Sequence, residues 1–108
     1  MHLEINANGF ELTPPIADHV RERVTQELAR FEGRITRVEA HLGDHNSHKK
    51  SDDDKRCMLE ARPRGLDPIA VTAEGADLYT VIGEAAGKLR RALATRLGKL
   101  DDASKTAP

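Results

Sequence analysis

The chain has 108 residues, 38% of them hydrophobic and 32% charged, which is the size of one domain and too short for two. Its single cysteine, Cys57, excludes an intramolecular disulfide and a cysteine-built zinc site, and no stretch approaches the roughly 20 apolar residues of a membrane span. The net charge of −1, from 17 Lys+Arg against 18 Asp+Glu, lacks the basic excess of a typical nucleic-acid binder, so any affinity for a polyanion must come from how the charges are distributed.

Residues 2–7, His-Leu-Glu-Ile-Asn-Ala, alternate polar and apolar side chains and predict a half-buried strand with Leu3 and Ile5 on one face. This start has neither the basic residues nor the apolar run of a secretion signal, so a reducing cytoplasm is the expected setting. Asn8-Gly9 ends the strand. Thr13 before Pro14 predicts a helix start, with the hydroxyl capping free amides and proline fitting the first turn. Ile16, Val20, Val24, Leu28 and Phe31 then draw one apolar stripe, which carries the helix to about residue 31 with Gly33 at its exit.

A second strand over residues 35–42 sets Val38, Ala40 and Leu42 on one face. Residues 43–55 contain no apolar side chain and read as a solvated hairpin loop. The third strand, at about 56–62, places Cys57, Leu59 and Ala61 together, and Pro63-Arg64-Gly65-Leu66-Asp67-Pro68 is dense in turn chemistry. Ile69, Val71 and Ala73 mark a fourth strand. A second helix runs from Asp77 to about residue 98, burying Ile82, Ala85, Ala86, Leu89, Leu93 and Leu97. Residues 101–108 read as a short polar tail that frays.

The order is β-α-β-β-β-α, an α+β fold with a four-stranded sheet and two helices packed on one face, in a single domain over residues 1–100. The other sheet face, with Glu39, His41, Glu60 and Arg62, is left to solvent.

At about 100° per residue the second helix sorts its charges. Lys88, Arg91 and Lys99 fall in one narrow stripe, Arg90 and Arg96 flank the apolar face on either side, and no acidic residue occurs from 88 to 99. The first helix adds Arg23 and Arg30 on one flank and Arg21 on the other, with Arg34 and Arg37 just beyond, while Asp52-Asp53-Asp54 collect in the long loop. Such a stripe is either an ordinary solvated helix face or a phosphate-binding surface. Guanidinium forks donate paired hydrogen bonds to phosphate oxygens, and displaced counterions make that binding salt-sensitive.

Three segments carry a resemblance. They are Leu3-Glu4-Ile5-Asn6 with Glu11-Leu12-Thr13-Pro14, then Ala73-Glu74-Gly75-Ala76-Asp77-Leu78-Tyr79-Thr80-Val81-Ile82, and Lys88-Leu89-Arg90-Arg91-Ala92-Leu93 leading to Lys99-Leu100. In this order the chain resembles the ribosome hibernation promoting factors and ribosome-associated inhibitors over residues 2–100, and the middle segment is the most specific. The resemblance implies a fold similar to a double-stranded-RNA-binding domain. It implies binding to the small ribosomal subunit, in the channel that messenger and transfer RNA would occupy, and inhibition of translation under stress or in stationary phase. The family's RNA-contacting residues carry over to Lys88, Arg91 and Lys99, and more loosely to Arg90, Arg96, Arg23 and Arg30. The family's long forms have a second, dimerising domain for which 108 residues leave no room.

Other constellations are weaker. His41, His45 and His48 with Asp44 straddle a strand end and a polar loop rather than a ligand scaffold. The Asp52-Asp53-Asp54 run lacks the alternate spacing of a calcium loop. Cys57 reads as a buried small hydrophobe, Ser47 and Ser51 have no nucleophile elbow around them, and Asp77 and Tyr79 read as a helix cap and a core-edge residue. No catalytic constellation, metal site or cofactor is therefore expected, and no small-molecule substrate or membrane partner. The alternative function is a diverged protein-interaction module of the same fold, favoured by the near-neutral charge and the acidic loop.

Overall fold

The computed structural model describes residues 1–44 and 55–106, with side chains through residue 99. Its elements are β1 (His2–Asn8), α1 (Pro14–Leu28), a 3-10 segment (Ala29–Arg34), β2 (Ile35–Asp44), β3 (Lys55–Pro63), β4 (Ile69–Gly75) and α2 (Leu78–Thr106). The sheet order is β1-β2-β3-β4. β1 runs parallel to β2, with α1 as the crossover that a parallel pair requires, and the other pairs are antiparallel. The β-α-β-β-β-α order holds.

Register converts the period-2 pattern of each strand into rows across the sheet. Leu3, Val38, Ala61 and Ile69 form one row, Ile5, Ala40, Leu59 and Val71 the next, and Ala7, Leu42, Cys57 and Ala73 the third. A register shift between Ile35 and Arg37 lets Ile35 join Val38 on the buried face despite their odd spacing. The helices cover this face with the predicted stripes: Val20, Val24 and Leu28 from α1, and Ile82, Ala85, Ala86, Leu89, Leu93 and Leu97 from α2, all buried. Alanines at 40, 61, 85 and 86 keep the layers close.

Three local expectations are corrected. Thr13 occupies the N-cap position with extended backbone, but its hydroxyl caps nothing. Pro14 and Pro15 remove two of the amides that a cap would serve. The first helix stops at Leu28 and tightens into a 3-10 turn that brings Phe31 into the core, so Gly33 is no left-handed exit; positive φ occurs at Gly9 and Gly65. α2 continues past residue 98 to Thr106, through the first part of the predicted tail, because no proline interrupts its hydrogen bonding before residue 108. Among the described residues, no helix is long and apolar enough to cross a membrane.

Candidate nucleic-acid interface

The start of α2 is held by Asp77, whose Oδ2 accepts hydrogen bonds from the Thr80 backbone amide at 3.0 Å and the Thr80 hydroxyl at 2.7 Å. Those bonds, led by the hydroxyl, hold the Asp77 carboxyl below its ordinary pKa. A depressed carboxylate adds stability above its unfolded pKa and loses it as pH falls through the folded value. Thermal unfolding should therefore separate Asp77→Ala from the wild type at neutral pH, with the gap closing in strong acid. A gap independent of pH would remove the cap's charge from the explanation. Tyr79 beside it is more open than a core-edge residue, at 42% exposure. Its ring meets His19 edge-on at 4.8 Å, and His19 Nε2 donates to the Tyr79 carbonyl at 3.1 Å.

Contacts between α1 and α2 advance in step, from His19 with Tyr79 to Arg23 beside Gly83 and Glu27 with Arg90. The two helices thus run the same way along the sheet. Their candidate cations fall into three groups. Arg23 and Arg90 are both committed to Glu27: Arg23 NH2 lies 3.0 Å from Oε2 and Arg90 Nε 2.8 Å from Oε1. Glu27 is only 20% exposed, so this is a half-buried bridge between helices that consumes much of the field of its two arginines.

Lys88 and Arg96 are anchored on carbonyls. Lys88 Nζ donates to Thr72 at the β4 edge at 2.9 Å, and Arg96 NH1 to Asp67 in the β3–β4 turn at 3.3 Å. A carbonyl fixes the head group without neutralising it, so both remain positive to solvent. Arg91 and Lys99 are exposed and make no ion pair among the described residues. Arg30 lies over the Phe31 ring at 4.8 Å. The sorting of Arg90 and Arg96 to opposite flanks is thus confirmed, and each flank has its own partner.

Arg37 does not extend this surface. Alternation with buried Val38 puts it on the outer sheet face, where it pairs with Glu4 and, at 3.2 Å, with Glu39. Glu39 also lies 3.5 Å from both Arg62 and His41, and Arg62 lies 3.3 Å from Glu60. That face is a lattice of mutually cancelling charges. Asp44 pairs with Lys55 at 3.0 Å, while His45, His48, Ser47, Ser51 and Asp52-Asp53-Asp54 lie outside the described residues. Among the described residues no three His, Cys, Asp or Glu side chains gather as a metal site. Cys57 is fully buried, and desolvation pushes its thiol up to about 12, the opposite of a nucleophile.

Sequence periodicity found the stripe but missed Glu27 as the neutralising partner of Arg23 and Arg90. It also missed Arg64, whose backbone amide donates to the Arg34 carbonyl at 2.8 Å. Nothing local in the sequence signals either, since both pairings join segments distant along the chain.

Residues 3–101 match the family described as sigma 54 modulation protein / S30EA ribosomal protein. Among solved structures, the chain is similar to the N-terminal domain of Protein Y from Thermus thermophilus, with a TM-score of 0.69 at 20% identity over 86% of this chain and 96% of that one. It is likewise similar to a ribosomal subunit interface protein from Coxiella burnetii, with a TM-score of 0.69 at 19% identity over 91% and 99% of the two chains. No curated protein matches it. At such identities the solved structures share the fold.

Proposed function

We propose that this chain, which belongs to the sigma 54 modulation protein / S30EA ribosomal protein family, binds the small ribosomal subunit and inhibits translation by occupying the channel of messenger and transfer RNA. The observation that carries the reading is the exposed stripe of Lys88, Arg91 and Lys99, which no carboxylate neutralises among the described residues. Lys88 is held at one edge by the Thr72 carbonyl, which orders its ammonium before any phosphate arrives and lowers the entropic cost of contact.

The mechanism is occupancy. Cationic side chains hold ribosomal RNA phosphates, and the folded body excludes the RNAs that would otherwise pass through. Binding of this kind releases counterions, so affinity falls with salt in proportion to the phosphates contacted. No cofactor takes part. The solved ribosomal subunit interface protein has the same fold, which supports the reading.

Co-sedimentation with purified small ribosomal subunits over a salt series tests it. Binding at low salt that weakens steeply as salt rises is the expected result. An absence of binding at low salt would overturn it in favour of a protein-interaction module of the same fold.

A further inference from the structure

The stripe on α2 does not stop at the helix flank. The antiparallel register sets the start of β2 against the end of β3, pairing Ile35 with Pro63. The Arg64 amide then donates to the Arg34 carbonyl at 2.8 Å, and Leu66 N closes the turn onto the Pro63 carbonyl at 3.2 Å. Gly65 takes a φ of 73°, a backbone conformation that favours glycine and lets the turn fold back. Pro63 is buried beneath it, so Arg64 stands on a braced turn, its side chain exposed and without an ion pair or hydrogen bond among the described residues. Arg96 reaches the same turn from α2 through the Asp67 carbonyl.

Arg30, Arg64, Arg96 and Lys99 therefore gather at the end of the domain where α1 finishes and α2 passes the β3–β4 turn. Glu32 and Asp67 are the acids there among the described side chains. The opposite end, where Asn8 pairs with Gly43 and Lys55 with Gly75, mixes signs: Asp44, Glu74 and Asp77 stand with Lys55 and Arg56, and Lys55 pairs with Asp44. A net charge of −1 therefore coexists with a locally basic pole, and that pole adjoins the stripe. From Lys88 to Lys99 the helix rises about 16 Å, which makes stripe and pole one elongated surface.

We infer that this arginine-rich end, with Arg64 at its centre, is a phosphate-contacting surface continuous with the Lys88, Arg91 and Lys99 stripe. A strand of ribosomal RNA would run along α2 and over the β3–β4 turn. The inference rests on the ribosome-binding reading above and adds Arg64 as a contact that helix periodicity leaves out. The fork of Arg64 suits phosphate oxygens, and its position on a turn braced at both sides limits the ordering cost of binding.

The test compares the wild type, Arg64→Ala and Arg62→Ala in co-sedimentation with small subunits over a salt series, and with protein-free small-subunit RNA. Arg62 lies two positions away but faces the outer sheet lattice, so its variant makes the same charge change off the surface. Arg64→Ala should reduce the slope of log affinity against log salt by about one, on subunits and on free RNA alike, with Arg62→Ala unchanged. Equal slopes for the two variants would overturn the inference and leave the ribosome-binding reading intact. A loss on intact subunits but not on free RNA would also overturn it, because the end would then dock on a ribosomal protein. Wild type that binds no subunit at any salt would take both down.

Discussion

The combined variant Lys88→Ala, Arg91→Ala and Lys99→Ala should keep its fold and lose co-sedimentation with small ribosomal subunits at salt concentrations where the wild type binds. All three side chains are exposed, and alanine favours helix at least as well as Lys or Arg. The one described hydrogen bond given up is that from Lys88 Nζ to the Thr72 carbonyl, at the surface. Removing three phosphate contacts should flatten the salt slope by about three, which takes away most of an electrostatic footprint of this size. Thermal unfolding and circular dichroism close to wild type, together with lost binding, would locate the interface on α2. Wild-type co-sedimentation by the variant would show the surface to be wrongly assigned.

Leu89→Ala should have the largest effect on stability. Leu89 is completely buried in the middle of α2, the helix that covers β3 and β4 and also packs on α1. Truncation removes its transfer free energy and leaves a cavity between layers, a loss of about 2–5 kcal/mol from a total on the order of 5–15 kcal/mol. At roughly 4–8 °C per kcal/mol, the melting temperature should fall by on the order of 10 °C or more. Exposed Thr95 on the same helix provides the comparison, since Thr95→Ala should leave the melting temperature nearly unchanged. A small shift for Leu89→Ala would mean that the layers close around the gap. Below its melting temperature this variant should still bind subunits, because Lys88, Arg91 and Lys99 are exposed and none of them belongs to the buried face that holds Leu89.

The two experiments separate the roles of the faces of α2. One face, Ile82 through Leu97, is committed to the sheet and α1. The other carries charge, and it is not uniformly available. Arg90 and Arg23 look equivalent to Arg91 by composition, yet Glu27 holds both. Their contribution is to tie the helices together, which ranks them below Lys88, Arg91 and Lys99 as proposed phosphate contacts.

The fold itself was legible in the residues because burial leaves a periodic trace. Cys57, Leu59 and Ala61 recur every second residue, and Ile82, Ala85/Ala86, Leu89, Leu93 and Leu97 every third or fourth, so the strands and the two α-helices show their type and buried face, while the 3-10 segment after α1 does not. The basic stripe on α2 was legible for the same reason, since residues on one helix keep a fixed angular relation whatever surrounds them. Capping at Asp77 could be read too, because its partner Thr80 is three residues away.

What only the tertiary structure decided is which charges are available. Glu27 meets Arg90 across 63 residues of chain, and Arg96 meets the Asp67 carbonyl across 29. The bulge between Ile35 and Arg37 brings Ile35 onto the buried face, while the β2–β3 register sets Arg64 beside Arg34. Local sequence determines the direction in which a side chain leaves its own element. The field it projects depends on its neighbours in space, and those are set by register and helix docking, which a single sequence does not display.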